Sequence, residues 1–443
     1  MAEAGMFNKQ TTSNAVIDCE PPPTTLTLPV AMLYVWTVIN VGRPQDIFPF
    51  VAQIYPGQVV AAISAGSYFM FPEPSVKTNA SPFSHMEARL FLYLSAVMVL
   101  TTPFSYYPSL SLEFMKAFIW KFGLYFFLFV KLINTPQRIA AFLYTLLFSG
   151  LLIGTSALLF SGSQHRVSIG GMYDPNDLAM LMVTLLPLCL IPFLASRKWY
   201  GKAFAGIAST LMLAALLATQ SRGGFIGLIT VGAWYGCIGI PRISRIKLTV
   251  ILSVVTILFV SMATEQYMDR MQTITEESQD GAGRLLIWKR SLKIAFDHPL
   301  LGVGPAAYMT AYGDYLNNDR FDAELSAEVS GGKWQTAHNT YLLILVELGF
   351  VGFLIFFMIL LRTYSNLRHT LSASLPFSKS PNNAQIYAAA LSGSLTGFAI
   401  CGIFLSQSYN GLIYEFCWLS GVLVRQNQRK PMQVDPKITS RRL

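Results

Sequence analysis

The chain has 443 residues, 53% of them hydrophobic and 12% charged, and a formal net charge of +9. An ordinary soluble domain is about a quarter charged, so this composition excludes one and implies a polytopic helical membrane protein. The basic residues are scattered over short turns, which favours anchoring to anionic lipid and argues against nucleic-acid binding.

Residues 1–26 read as a polar, Pro-containing tail (CEPPPTT) with no basic n-region or cleavage site, so no removable signal peptide is expected. Crossing a bilayer core of about 30 Å takes about 20 apolar residues in helical form, because backbone groups must be satisfied within the segment. Twelve segments qualify, near 27–42, 56–72, 87–103, 112–133, 138–160, 176–195, 202–219, 223–240, 246–263, 338–361, 384–405 and 409–424. The second, eighth and last are short or interrupted by glycine. The expected class is all-α, with nine spans over 27–263, a large loop at 264–337, three spans over 338–424 and a basic tail at 425–443.

Orientation follows from Lys and Arg between spans. With a cytoplasmic N-terminus, the inner side collects Lys131, Arg138, Arg197, Lys198, Lys202, Arg242, Arg245, Lys247, Arg362 and Arg368, then Arg425, Arg429, Lys430, Lys437, Arg441 and Arg442 in the tail. The long loop, with eleven acidic and seven basic residues, lies outside. Long loops cross a membrane largely regardless of charge.

Cys19 lacks the small-residue context of a lipoprotein signal. Cys189, Cys237, Cys401 and Cys417 fall in apolar spans without paired spacing, as small buried hydrophobes do, so neither a metal site nor a disulfide framework is expected. No internal repeat or matched pair of broken helices is visible, which weakens a transporter reading.

The chemistry-bearing residues gather near the expected outer face. The segment HRVSIGGMYDPNDLAM carries His165, Arg166, Asp174, Asn176 and Asp177 ahead of a span; DPND reads as a Pro turn and helix cap rather than a metal pair. Arg222 sits in TQSRGGFIG between two apolar stretches, where a charge is costly unless it faces a cavity, a charged ligand or an acid such as Glu347. Arg284 opens an amphipathic helix in which Leu285, Trp288, Leu292, Ala295 and Phe296 recur at helical spacing. Its GAGR entry offers backbone N–H groups and a guanidinium to an anion such as a phosphate, or else a surface arginine paired with Asp280 or lipid headgroups.

His338 opens the tenth span, where the helix N-terminus disfavours imidazolium and leaves a neutral ring able to accept a proton. The plainer alternative is an N-capping or interfacial histidine. Glu347 lies about 13 Å deeper and half a turn away, so it cannot orient His338, and it needs a partner from another helix. Lys116 and Lys121 in the fourth span, and the Arg43 and Asp46 pair in the first outer loop, carry no assigned role. The acidic run 317–332 reads as a solvated loop, and no nucleotide or zinc signature appears.

Together, SRGG before an apolar span, R-x3-W ahead of DHPLLGVG, HN-x2-L-x3-ELG-x2-G and the earlier GMYDPNDLA closely resemble the shared pattern of the bacterial O-antigen ligase and polymerase family, over roughly residues 165–360. The resemblance implies a metal-independent glycosyltransferase of the bacterial inner membrane with its site on the periplasmic face; the Lys and Arg pattern puts both termini in the cytoplasm, and attack opposite the diphosphate would invert the anomeric centre. Its donor would be a glycan on undecaprenyl diphosphate and its acceptor a hydroxyl of lipid A core, with no cofactor. Carried over by motif, Arg222 and Arg284 would bind the diphosphate and His338 would be the general base; Arg166, His165 and Asn339 are candidate substrate contacts. Polymerisation, transfer to a protein hydroxyl and transport of a lipid-linked glycan are the alternatives.

Overall fold

The computed structural model describes residues 26–71, 81–160, 166–170, 173–238, 282–317, 336–372 and 381–429, together with residues 246, 249, 250, 253, 254, 256 and 257. The described residues are helical, with no strand beyond an isolated bridge between Ile169 and Tyr173. Among them six helices are long and apolar enough to cross a membrane: Met86–Phe104, Pro136–Phe160, Pro175–Ala195, Trp199–Ala218, Thr340–Ser372 and Asn383–Cys401. The chain is a helical membrane protein.

In chain order, α1 (Leu28–Thr37) ends in a π turn, Val38–Gly42. Next come α2 (Pro56–Met70) and α3 (Met86–Thr101). Then α4 (Pro108–Phe118) passes through a second π turn, Ile119–Gly123, into α5 (Leu124–Leu132). These are followed by α6 (Pro136–Phe160), α7 (Pro175–Leu185) with a short continuation α8 (Leu190–Ala195), α9 (Trp199–Ala218) and α10 (Arg222–Ile238). The large loop contributes α11 (Ala282–Asp297) and α12 (Tyr308–Asn317). Finally come α13 (Thr340–Ser372), α14 (Asn383–Cys401) and α15 (Gly411–Arg429).

Eleven of the twelve expected spans therefore coincide with helices, yet only six meet the length and apolarity of a crossing segment. The physical reasons differ. α2 and α10 are 15 and 17 residues long. The α4–α5 stretch carries Glu113, Lys116, Lys121 and Lys131, and α15 ends in the polar run RQNQR. The span expected at 246–263 falls largely outside the described residues, as do Cys19, His165, Asp280 and nearly all of the acidic run 317–332.

Helix starts follow elementary backbone chemistry. Proline opens α2, α4, α6 and α7, where a missing N–H costs nothing. Asn382 and Gln385 form a reciprocal capping box at α14. Asp174 caps α7 by accepting from the Asn176 and Asp177 amides, as the DPND pattern predicts.

α13 organises the bundle, packing against α3, α11, α14 and α15, while α10 and α7 lie against α14 and α6 lies against α9. On the side away from the large loop, buried Glu87 of α3 accepts from Arg362 at 3.1 Å, Arg425 at 3.0 Å and Asn366 at 2.9 Å. Two of the arginines counted for orientation thus also tie α3, α13 and α15 together.

The large loop is fastened to α13 at a break. Gly349 has φ +62° and ψ −167°, which interrupts the helix. Backbone groups freed inside a membrane must find new partners. Here the DHPLLGVG segment supplies them: Phe350 N donates to Pro299 O at 2.7 Å, Val303 N to Val346 O at 2.8 Å and Gly304 N to Glu347 O at 2.9 Å. A Cβ on Gly349 would lie 2.3 Å from Leu300 O. Gly349→Ala is expected to cost roughly 2 kcal/mol or more, from the left-handed backbone plus the clash. Thermal unfolding and protease cleavage within 282–317 check this; an unchanged melting temperature and cleavage pattern would refute the docking role.

Candidate active site on the large-loop side

The motif segments meet through a polar network at the loop-side ends of α7, α10 and α13. Asn176, in the first turn of α7, accepts from Arg166 at 3.0 Å and from Ser221 at 2.9 Å through one carboxamide oxygen. The Arg166 Nε also donates to Thr219 O at 3.0 Å. The DPND segment is thereby locked to the turn that presents Arg222. From Asp177 the network continues, because Gln407 Nε2 donates to its carboxylate at 2.8 Å and Gln407 N donates to Thr340 Oγ at 3.0 Å. Thr340 begins α13, and its own amide donates to Gly402 O at 2.8 Å.

The segment 401–408 is the shared strut. A Cβ on Gly223, beside Arg222, would lie 3.3 Å from Phe404, and Ser408 donates to Thr340 O at 2.8 Å. Arg222 and His338 are therefore held, one and two residues away respectively, by the same short connection between α14 and α15. Nothing in the residue pattern marks this strut apart from the polar run QSYN between two apolar segments.

Arg284 reaches the same region by another route. Ile287, one turn further along α11, is buried in one cluster with Ala337, Tyr308, Tyr312 and Val346. The helix bearing Arg284 thus shares a buried cluster with the residue before His338. Within this cluster Arg290 donates to Tyr312 at 3.0 Å and Ser291 meets Tyr308 at 2.7 Å. Glu347 closes it from α13, accepting from Tyr409 at 2.5 Å and from the Tyr308 amide at 3.3 Å. The expected partner from another helix is not found: Glu347 pairs instead with Tyr409, in the connection between α14 and α15, and not with Arg222. At the far end of α11, burial pulls the Asp297 carboxyl up, but hydrogen bonds from Lys293 and Tyr315 outweigh it and hold the group below the usual carboxylate range.

The candidate residues divide by environment. Arg222, Arg284 and His338 are all half-buried. Among the described residues nothing accepts a hydrogen bond from the Arg222 guanidinium. His338 has φ +45°, a left-handed backbone that is costly for a residue with a Cβ. It is not the helix cap: Asn339 is, its side-chain oxygen accepting from the Tyr341 and Leu342 amides at 2.9 and 3.0 Å. The oxygen of Asn339 accepts in that cap, and Arg166 donates to Thr219 and Asn176. His165 lies outside the described residues. Residue patterning gave Trp288 no polar role, yet its buried indole N–H, one turn beyond Arg284, meets no acceptor among the described residues. Buried polar groups are rarely left so, and this donor is borne one helical turn from Arg284 on the same helix. Among the described residues no three His, Cys, Asp or Glu side chains gather as metal ligands.

A helical membrane protein with two arginines and a strained histidine at one end of its bundle defines a class, an integral membrane protein with a polar cluster on its large-loop side. Comparison with known proteins makes it more particular. Residues 207–357, which contain Arg222, Arg284 and His338, match the family model described as O-antigen ligase, the family that the motifs resemble. The chain is also 23% identical over 229 residues to the ComP-specific O-oligosaccharyltransferase of Acinetobacter baylyi (strain ATCC 33305 / BD413 / ADP1). That alignment covers 48% of this chain and only 38% of the relative's length.

Proposed function

We propose that the protein is a glycosyltransferase of the bacterial inner membrane, moving a polysaccharide from undecaprenyl diphosphate to a hydroxyl of lipid A core on the periplasmic face. In this reading the chain crosses the membrane twelve times with both termini cytoplasmic. The observation that carries it is the joining of the SRGG, DPND and HN segments at the large-loop side, within the stretch that matches the O-antigen ligase family.

The chemistry needs no resident cofactor. The acceptor oxygen attacks the anomeric carbon as its proton passes to His338, and the bond to the diphosphate oxygen breaks on the opposite face. The electron pair leaves with the diphosphate, and the anomeric centre inverts. Arg222 and Arg284 offer charge-assisted hydrogen bonds to the negative charge that grows on the leaving group, in place of a metal. The Trp288 N–H, one helical turn from Arg284, is a further donor on that side. The positive end of a helix favours the neutral form of a histidine at its start, the form a general base requires.

The second reading is transfer of an oligosaccharide to a protein hydroxyl, favoured by the relative named as a ComP-specific O-oligosaccharyltransferase. Both readings use the same donor half. Purified protein, undecaprenyl diphosphate-linked glycan and lipid A core, incubated without added metal, separate them. Glycan on lipid A core is the expected product. Longer lipid-linked chains alone would make the protein a polymerase, and transfer to neither lipid would reopen the protein-acceptor and transporter readings.

A further inference from the structure

A second polar site lies away from Arg222, Arg284 and His338, between the two π turns. A cavity of about 270 Å³ is lined by Ile39 and Asn40 of the first π turn, Trp120 and Lys121 of the second, and Arg43, Gln45, Tyr55 and Gln58 from the connection to α2. π turns are uncommon and recur at functional sites. Both of those described here face this one cavity.

Its depth follows from side-chain contacts. Tyr125 of α5 meets Thr37 at 2.8 Å and stacks edge-on against Trp36 at 5.2 Å. Lys121 is four residues earlier on an antiparallel path, about 6 Å nearer the end of α1 that carries Arg43. That end is the large-loop side, because Tyr173, next to the DPND cap, donates to Val41 O at 3.2 Å and lies under the Arg43 guanidinium. The cavity therefore sits at headgroup level in the leaflet facing the large loop.

Its lining is specific in kind. Arg43 is neutralised by Asp46, at 2.5 and 3.0 Å, so Lys121 carries the net charge. Among the described residues Lys121 has no hydrogen-bond or ion-pair partner. Asn40, Gln45 and Gln58 supply amides, and among the described residues the buried Gln45 Oε1 has no donor although its Nε2 is held by Ile39 O at 3.2 Å. Trp36, Tyr55 and Trp120 supply aromatic surface. A cation recognises phosphate, while amides and aromatic faces together suit sugar hydroxyls and the apolar face of a pyranose.

We propose that this cavity binds the phosphorylated sugar headgroup of a lipid in the leaflet facing the large loop, at a site separate from the two arginines. The inference rests on the membrane placement and not on the roles given to Arg222, Arg284 and His338.

Native mass spectrometry of the purified full chain tests it with three probes: lipid A (phosphate and sugar), phosphatidylglycerol (phosphate only) and diglucosyl diacylglycerol (sugar only). Wild type is expected to retain lipid A about tenfold better than either of the others. Lys121→Gln should lower lipid A retention about tenfold, Trp120→Ala should lower it as well, and Arg222→Ala should leave it unchanged. Both substituted side chains of the cavity are exposed, and equal thermal unfolding identifies folded variants. Unchanged retention in folded Lys121→Gln, retention of phosphatidylglycerol equal to lipid A, or a loss in Arg222→Ala that matches Lys121→Gln would each overturn the proposal. The last outcome would place the lipid in the arginine site instead.

Discussion

Replacing His338 by alanine is expected to lower glycan transfer 10²–10⁴-fold, the range of a lost general base. Replacing it by glycine should cost as much activity while leaving the protein as stable as wild type, or slightly more so. The difference lies in the backbone. At φ +45° any residue with a Cβ is strained by roughly 1–2 kcal/mol, whereas glycine is not. A histidine kept only for capping would not need this conformation, and the cap is already supplied by Asn339. Strain retained beside a polar site points to a role for the side chain. Transfer rate and thermal unfolding, measured on both variants, decide the matter. Full transfer by His338→Ala would remove the residue from the chemistry, and a large loss of stability in His338→Gly would make it a packing element.

What residue patterning could reach was set by range. The α7 start was legible because Asp174, Pro175, Asn176 and Asp177 act on each other within one turn. Glu347 was legible as a group in need of a partner, but that partner, Tyr409, is 62 residues away and comes from the connection between α14 and α15 and not from a helix. Helix α11 shows the same limit. Leu285, Trp288, Leu292, Ala295 and Phe296 look like one apolar face, yet Leu285, Leu292 and Phe296 are exposed while Ile287, Arg290, Ser291 and Ile294 turn inward. Two of those inward residues are polar, and their burial depends on Tyr308 and Tyr312 of the next helix. Hydropathy also hid the breaks. It gave α4–α5 and α13 as plain spans, though one contains a π turn at Lys121 and the other is parted at Gly349. The strut at 401–408 escaped because its work is done through Thr340 and Gly223, both distant in the chain.

Arg222→Ala is expected to reduce kcat/KM for the diphosphate-linked donor 10²–10³-fold, with Arg222→Lys recovering only part of it. The scaffold explains why this change should act on chemistry and not on folding. Ser221, not Arg222, makes the bond to Asn176 and supports the Gly224 amide at 3.3 Å. Gly223, and not the arginine, packs on Phe404. The guanidinium itself has no acceptor among the described residues, so its removal leaves no group there unsatisfied. A lysine restores charge but not the planar fork that fits two phosphate oxygens. Losing one such donor in a site of this kind is worth 10²–10³ in rate. If Arg222 and Arg284 hold the same diphosphate, the double alanine variant should lose less than the product of the two single losses, since each single change already disrupts the shared anion. Steady-state kinetics on the two single variants and the double variant give the coupling. Transfer by Arg222→Ala within twofold of wild type would refute its role, and losses that simply multiply would mean that the two arginines serve different groups.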